Sequence, residues 1–212
     1  MTATGPATPT TTAPHAPTDA ADWLRAHRWG TTAAVAGEFT DSLPPVSVDA
    51  MLGRWHGAGW HTGHPWDGLL EAYGWYGKEF LDPDRVRPLL FRDAAGDPQP
   101  VPPGLAPVGL INRVPDVARH AVLVTSFRLV RPLIRSGRSA GRLRMVEHHG
   151  TPTAALVYDS VPIIDAFRRV DDDLVVGSAD IRGQRSPLLF VLRRSTASQR
   201  GPHGRPLDAV AP

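Results

Sequence analysis

From Arg142 to Arg193 the chain passes through five short β-prone stretches separated by tight turns, and this cadence limits the possible folds most. The stretches are Arg142–His148, Thr153–Tyr158, Ile163–Val170, Leu174–Ile181 and Leu188–Arg193. Gly150-Thr151-Pro152 and Asp171-Asp172-Asp173 supply hairpin turn chemistry between them. Strands this short and this closely linked pair antiparallel with their sequence neighbours. The first half adds Leu52–Trp60, Trp75–Leu81 and Val86–Arg92. Eight mostly consecutive strands predict a mainly β chain. They favour a single closed, antiparallel, up-and-down β-barrel over a sandwich, with room inside for one small ligand.

A few short helices complete the reading. Asp19–His27 carries Trp23 and Leu24 on one side, Ser47 caps a turn that runs to Leu52, and Leu69-Leu70 suits another turn. Asp116–Ile134 has helical spacing at Val117, Ala121, Val124 and Phe127, with Pro132 expected to kink or end it. Residues 93–109 read as a Pro/Gly-rich connection. There is no internal repeat.

Length and composition fit one domain with tails. The 212 residues are 42% hydrophobic, enough for a sizeable core. Residues 1–18 and 196–212 hold few large apolar groups and are expected to be disordered, leaving a domain at 19–195. The absence of cysteine excludes disulfides and thiolate metal sites. No apolar run reaches the roughly 18 residues of a membrane span. Met1-Thr2-Ala3-Thr4-Gly5-Pro6 lacks the basic and apolar regions of a secretory signal, so the cytoplasm is the expected location. A net charge of +2 gives no reason to expect a nucleic-acid partner. Lys78 is the single lysine among 23 basic residues, a bias that matches a GC-rich genome such as an actinomycete's.

Leu52-Gly53-Arg54-Trp55-His56-Gly57, followed by Thr62-Gly63-His64-Pro65 and Gly74-Trp75-Tyr76-Gly77-Lys78-Glu79-Phe80, resembles the GXWXG family. The second half resembles that family's companion C-terminal domain of unknown function. The matching stretches are Arg142–Glu147, Tyr158-Asp159, Pro162–Asp171 and Gly177–Asp180. The likeness places the first part at about 43–100 and the second at about 135–194. It implies a lipocalin-like, calycin-type barrel assembled from both halves, and little chemistry. Gly53–Gly59 is also similar to the GxWxGxG pattern of nitrobindin-type haem barrels. Those ligate iron through a late histidine, whereas this chain has none between His149 and His203.

Several side chains are candidates for a site. Trp55, Trp60, Trp66, Tyr73, Trp75, Tyr76 and Phe80 crowd into 26 positions, as a pocket wall or as plain core. Trp60, Trp66, Trp75, Tyr76 and Phe80 are the candidate ligand contacts, joined from the second half by Arg144, Tyr158 and Phe167. His56, His61 and His64 with Asp67 match no closed metal set, and no metal is expected. His64 beside Asp67 suits acid–base work, or Asp67 simply caps a turn. Lys78 shares a strand face with Tyr76 and Phe80; if inward it is a desolvated amine, and if outward a solvated lysine. Asp165 shares a face with Ile163 and Phe167, and Asp180 shares one with Leu174 and Val176. A carboxylate there, or at Asp159, must be paired or hold its proton. An internal ion pair with Arg144 or Arg168 is the plain alternative. Arg128, Arg131, Arg135 and Arg138 recur at helical spacing, as a phosphate or anionic-surface contact or as a solvated face.

No phosphate loop, dinucleotide fingerprint, nucleophile elbow or zinc-protease motif is present. The candidate catalytic residues are therefore His64, Asp67, Lys78, Asp159 and Asp165. They suit a cofactor-free enzyme of bacterial specialised metabolism. Such an enzyme would isomerise, dehydrate or cyclise a hydrophobic small molecule, a terpenoid or polyketide for example. A lipocalin-like carrier of an apolar ligand is the second reading and a haem binder the third.

Overall fold

The computed structural model describes residues 17–195. The disorder expected of 1–16 and 196–212 lies outside the described residues, and Pro17 and Thr18 belong to the first helix rather than to a tail. Nine strands form one sheet: β1 (Gly53–Gly59), β2 (Trp75–Asp82), β3 (Arg85–Arg92), β4 (Pro98–Pro100), β5 (Gly141–His148), β6 (Thr151–Tyr158), β7 (Ile163–Arg169), β8 (Leu174–Ile181) and β9 (Leu188–Arg194). Seven helices accompany them: α1 (Pro17–Ala26), α2 (Ala33–Ser42), α3 (Val48–Met51), α4 (Leu69–Ala72), α5 (Val108–Arg113), α6 (Pro115–Ala118) and α7 (Ala121–Ile134).

The sheet order is β4-β3-β2-β1-β9-β8-β7-β6-β5, antiparallel throughout. First and last long strands pair, as in an up-and-down barrel, so the two halves of the chain become one curled sheet forming a half-barrel. Closure is incomplete, which corrects the expected closed barrel. The ends of the sheet meet at a seam where Ala140 N–H donates to the Val86 carbonyl at 3.0 Å and Leu143 N–H to the Pro83 carbonyl at 2.8 Å. Pro88 has no N–H to offer there, and β4 pairs with β3 only at Leu90–Arg92. A groove of about 390 Å³ lies along this seam, bordered by Arg87, Pro88, Val101, Ala140 and Ser160.

Other departures from the sequence reading have local causes. β4 sits inside the stretch read as a connection. The helix expected over Asp116–Ile134 is two helices, because His120 is extended at φ −61°, ψ 133° as the cap of α7. α2, unassigned from sequence, starts where the Thr32 side chain accepts the Val35 N–H. The turn after β5 is His149-Gly150, both at positive φ, rather than Gly150-Thr151-Pro152.

Two apolar layers hold the sheet. Inside the curl lie Trp55, Trp75, Phe80, Leu143, Leu156, Phe167 and Phe190. On the convex side α1 and α2 cover Trp60, Val176, Leu189 and Val191 through Leu24, Ala36 and Phe39. The inner rings fit because two strand positions lack a Cβ. At Gly57 it would stand 2.3 Å from the Trp75 ring, and at Gly177 2.2 Å from that of Phe190. Trp55 is fixed by its indole N–H, which donates to the Met51 carbonyl at 2.8 Å, and by the Arg194 guanidinium 4.2 Å above its ring. Outside, Glu79 accepts from Arg54 at 2.6 Å and Arg87 at 2.7 Å, the residues opposite it on β1 and β3, so charge reinforces register.

Gly77 bulges β2 at φ 144°, and a Cβ there would stand 2.0 Å from the Trp55 carbonyl oxygen. Gly77→Ala is expected to destabilise the fold by about 3 kcal/mol or more in urea denaturation. Gly150→Asn, at a left-handed position facing open space, should cost under about 1 kcal/mol.

Candidate functional site

The Gly77 bulge shifts the alternation of β2. Trp75, Lys78 and Phe80 face inward and Tyr76 faces outward, which corrects the grouping of Lys78 with Tyr76. Lys78 is 2% exposed. Its ammonium reaches Asp165 Oδ2 at 2.7 Å, the Tyr158 hydroxyl at 2.9 Å and the Pro88 carbonyl at 3.3 Å. Three N–H donors thus meet three acceptors. The Tyr158 hydroxyl donates onward to Asp165 Oδ2 at 3.1 Å. The rings of Phe190, Tyr158 and Trp75 stand 4.9, 5.4 and 5.6 Å from the ammonium and supply their electron-rich faces. Lys78 comes from β2, Tyr158 from β6 and Asp165 from β7, so the cluster exists only once both halves have folded together.

Burial, then the negative charge of Asp165, then its hydrogen bond hold the Tyr158 phenol well above its ordinary pKa, fully protonated. A protonated phenol, an ammonium and a carboxylate are therefore linked in an aromatic cage. This set can donate a proton, accept one and polarise an oxygen. It lies directly behind the seam, since Pro88 both accepts from Lys78 and borders the groove, and Ser160 borders the groove two residues after Tyr158.

The remaining sequence candidates are placed as follows. Trp75, Phe80 and Phe167 are in the inner layer, with Phe80 and Phe167 edge to face at 5.8 Å. Trp66 is also in the inner layer. Trp60 lies in the convex layer, its indole donating to the His27 carbonyl. Tyr76 stands outside against His56 and Arg92, its hydroxyl on Ser195. Arg144 pairs with Asp84, and Asp159 with Arg142, at the surface. Asp67 Oδ2 accepts the N–H groups of Thr62, Gly63 and His64 at 2.8–2.9 Å, a turn cap rather than a partner for the His64 ring. Neither Arg144 nor Arg168 is the partner of Asp165. Arg168 donates instead to the His148 carbonyl. Trp60, Tyr76, Arg144, His64, Asp67 and Asp159 are thus not brought to the Lys78 cluster. Phe190 and Pro88 belong to it and were missed. Phe190 looked like any alternating core residue, whereas Pro88 within a strand did signal an edge.

Asp41, His148 and His149 bring potential metal-ligating atoms within 4.8 Å of one another. The two imidazoles stack at 4.1 Å and 20°, so their lone pairs run side by side rather than converge, and His149 already bonds Asp41 at 2.8 Å. This is a hydrogen bond and a stack, not a tetrahedral set. The late histidine of a haem barrel has no counterpart from Gly150 to Ser195.

Two measurements test the electrostatics. Lys78→Met strands a buried carboxylate and should cost about 3–5 kcal/mol, while Lys78→Met with Asp165→Leu should recover most of it in urea denaturation. Burial also lowers the pKa values of His64, His56 and His148, with Arg92 adding at His56 and His149 at His148. The neutral His64 Nδ1 accepts the Trp66 N–H. The unfolded chain therefore takes up these protons first, and stability present above about pH 6.5 is lost as pH falls. The urea midpoint should drop between about pH 7.5 and pH 5.5, less steeply in His64→Asn.

Comparisons agree with this architecture. Residues 38–96 match the family described as GXWXG protein, and residues 139–194 match the Domain of unknown function (DUF4334). A solved structure of a protein from Thermomonospora curvata is 34% identical over 85% of this chain and 99% of its own, with a TM-score of 0.63. No curated protein matches the chain. Among the described residues no helix is long and apolar enough to cross a membrane. The chain belongs to the GXWXG protein family and carries the DUF4334 domain in its second half.

Proposed function

We propose that this protein is a cofactor-free acid–base enzyme that isomerises an apolar carbonyl compound admitted through the seam. The observation that carries the reading is the Lys78–Asp165–Tyr158 cluster inside an aromatic cage. An apolar cavity wall would hold an apolar ligand without the desolvation that each of these three ionisable groups requires, which favours chemistry over carriage.

The reaction needs no external reagent. A substrate oxygen takes the place of Asp165 at Lys78, and the freed carboxylate removes a proton from the carbon next to the carbonyl. The electron pair of that C–H bond moves to the oxygen, giving an enolate held by the ammonium. The same proton returns from Asp165, directly or by way of Tyr158, to the far carbon of the conjugated system. Atoms and charge balance, and only a double bond has moved. The low-polarity cage strengthens each of these interactions relative to water.

Incubation with a panel of apolar β,γ-unsaturated ketones, read by the ultraviolet absorbance of the conjugated product, tests this. Turnover is expected in the native chain. Asp165→Asn and the Lys78→Met/Asp165→Leu pair should abolish it, and Tyr158→Phe should reduce it by about 10²–10⁴. Turnover untouched by Asp165→Asn removes that residue from the mechanism. Saturable binding of the panel without turnover would instead assign the barrel to a carrier.

A further inference from the structure

The helical segment between the two halves carries a surface that the interior chemistry does not explain. Residues 101–138 contain six arginines and one acidic residue, Asp116. The chain as a whole has a net charge of only +2, so everything outside this segment is net negative. The same segment exposes large apolar side chains. Leu133 is 85% exposed, Leu129 75% and Val122 62%, and Leu110, Leu105 and Val117 exceed half. Val122, Leu129 and Leu133 recur at helical spacing along one face of α7. Arg113, Arg128, Arg135 and Arg138 are exposed in the same segment, with Arg128 and Arg135 flanking that face rather than on it.

We propose that the α5–α7 surface docks on an anionic lipid bilayer. Exposed leucine and valine recurring along one helix face mark a contact surface. The arginines decide what it contacts. A second copy would bring an equally basic face against this one, and like charges repel. The chain's own ends do not complement it either: residues 1–16 carry no acidic side chain, and residues 196–212 carry Arg200 and Arg205 against Asp208. A bilayer with acidic headgroups meets both demands. Apolar side chains insert at the acyl boundary while arginines remain at headgroup level, and no matching shape is needed on the other side. Docking would set the seam groove, which Leu105 and Arg138 also border, against lipid. The proposal holds whether or not a reaction follows.

Co-sedimentation of the full chain with vesicles tests it. Binding is expected to phosphatidylcholine–phosphatidylserine vesicles and not to phosphatidylcholine alone, and should weaken with added salt. Leu129→Ser/Leu133→Ser and, separately, Arg135→Glu/Arg138→Glu should each lower partitioning at least about tenfold. Both pairs are surface changes outside the Lys78 cluster, so unchanged thermal midpoints would certify their folding. No binding to the anionic vesicles, or binding retained in both variants, overturns the proposal. A dimer that Leu129→Ser/Leu133→Ser dissolves, in a chain that ignores vesicles, overturns it in favour of a second copy.

Discussion

The contact between Lys78 and Asp165 joins the two halves of the molecule at the centre of the barrel. One half holds the cation and the other holds the anion with its phenol partner. A half-chain folded alone would bury an unpaired charge or leave its barrel face open to water, and either is costly. The pairing of β1 with β9 works in the same direction through the backbone. Two family segments that look separable in sequence therefore share one sheet and one buried ion pair, and the tie that unites them is also the candidate chemistry.

That tie depends on aromatic packing, which depends in turn on missing atoms. Gly57 leaves room for the Trp75 ring and Gly177 for that of Phe190, and the two rings meet edge to face at 5.8 Å. Both also face the Lys78 ammonium. Gly57, in the first family segment, and Gly177, in the second, thus act at one remove. They set the positions of rings that shield a charge.

Much of this was legible in the sequence, for identifiable reasons. Alternation in β5 through β9 was strong, and all five strands stand within two residues of their expected bounds. The Ser47 cap was read from a serine followed by a short apolar turn, and its hydroxyl does accept the Ala50 N–H. Alternation failed where backbone geometry broke the period. The Gly77 bulge turned Tyr76 outward and kept Trp75 and Lys78 inward together. Trp60, one residue beyond β1, groups by sequence with the inner aromatics, yet it packs beneath α1 and α2, elements whose contact with the convex face no local pattern announces. Asp165 was recognised as a carboxylate needing a partner. The partner could not be read, because opposing positions across a barrel depend on register between strands far apart in sequence.

Pro88 has a consequence beyond the seam it leaves ajar. An unpaired strand edge lined with N–H and carbonyl groups is a template on which another chain can add a strand, and repeated addition leads to aggregation. A barrel avoids this by closing, and this one does not close fully. With a proline at its edge, β3 cannot present an unbroken row of donors to a newcomer. The same residue borders the groove at the seam and denies that edge to foreign strands.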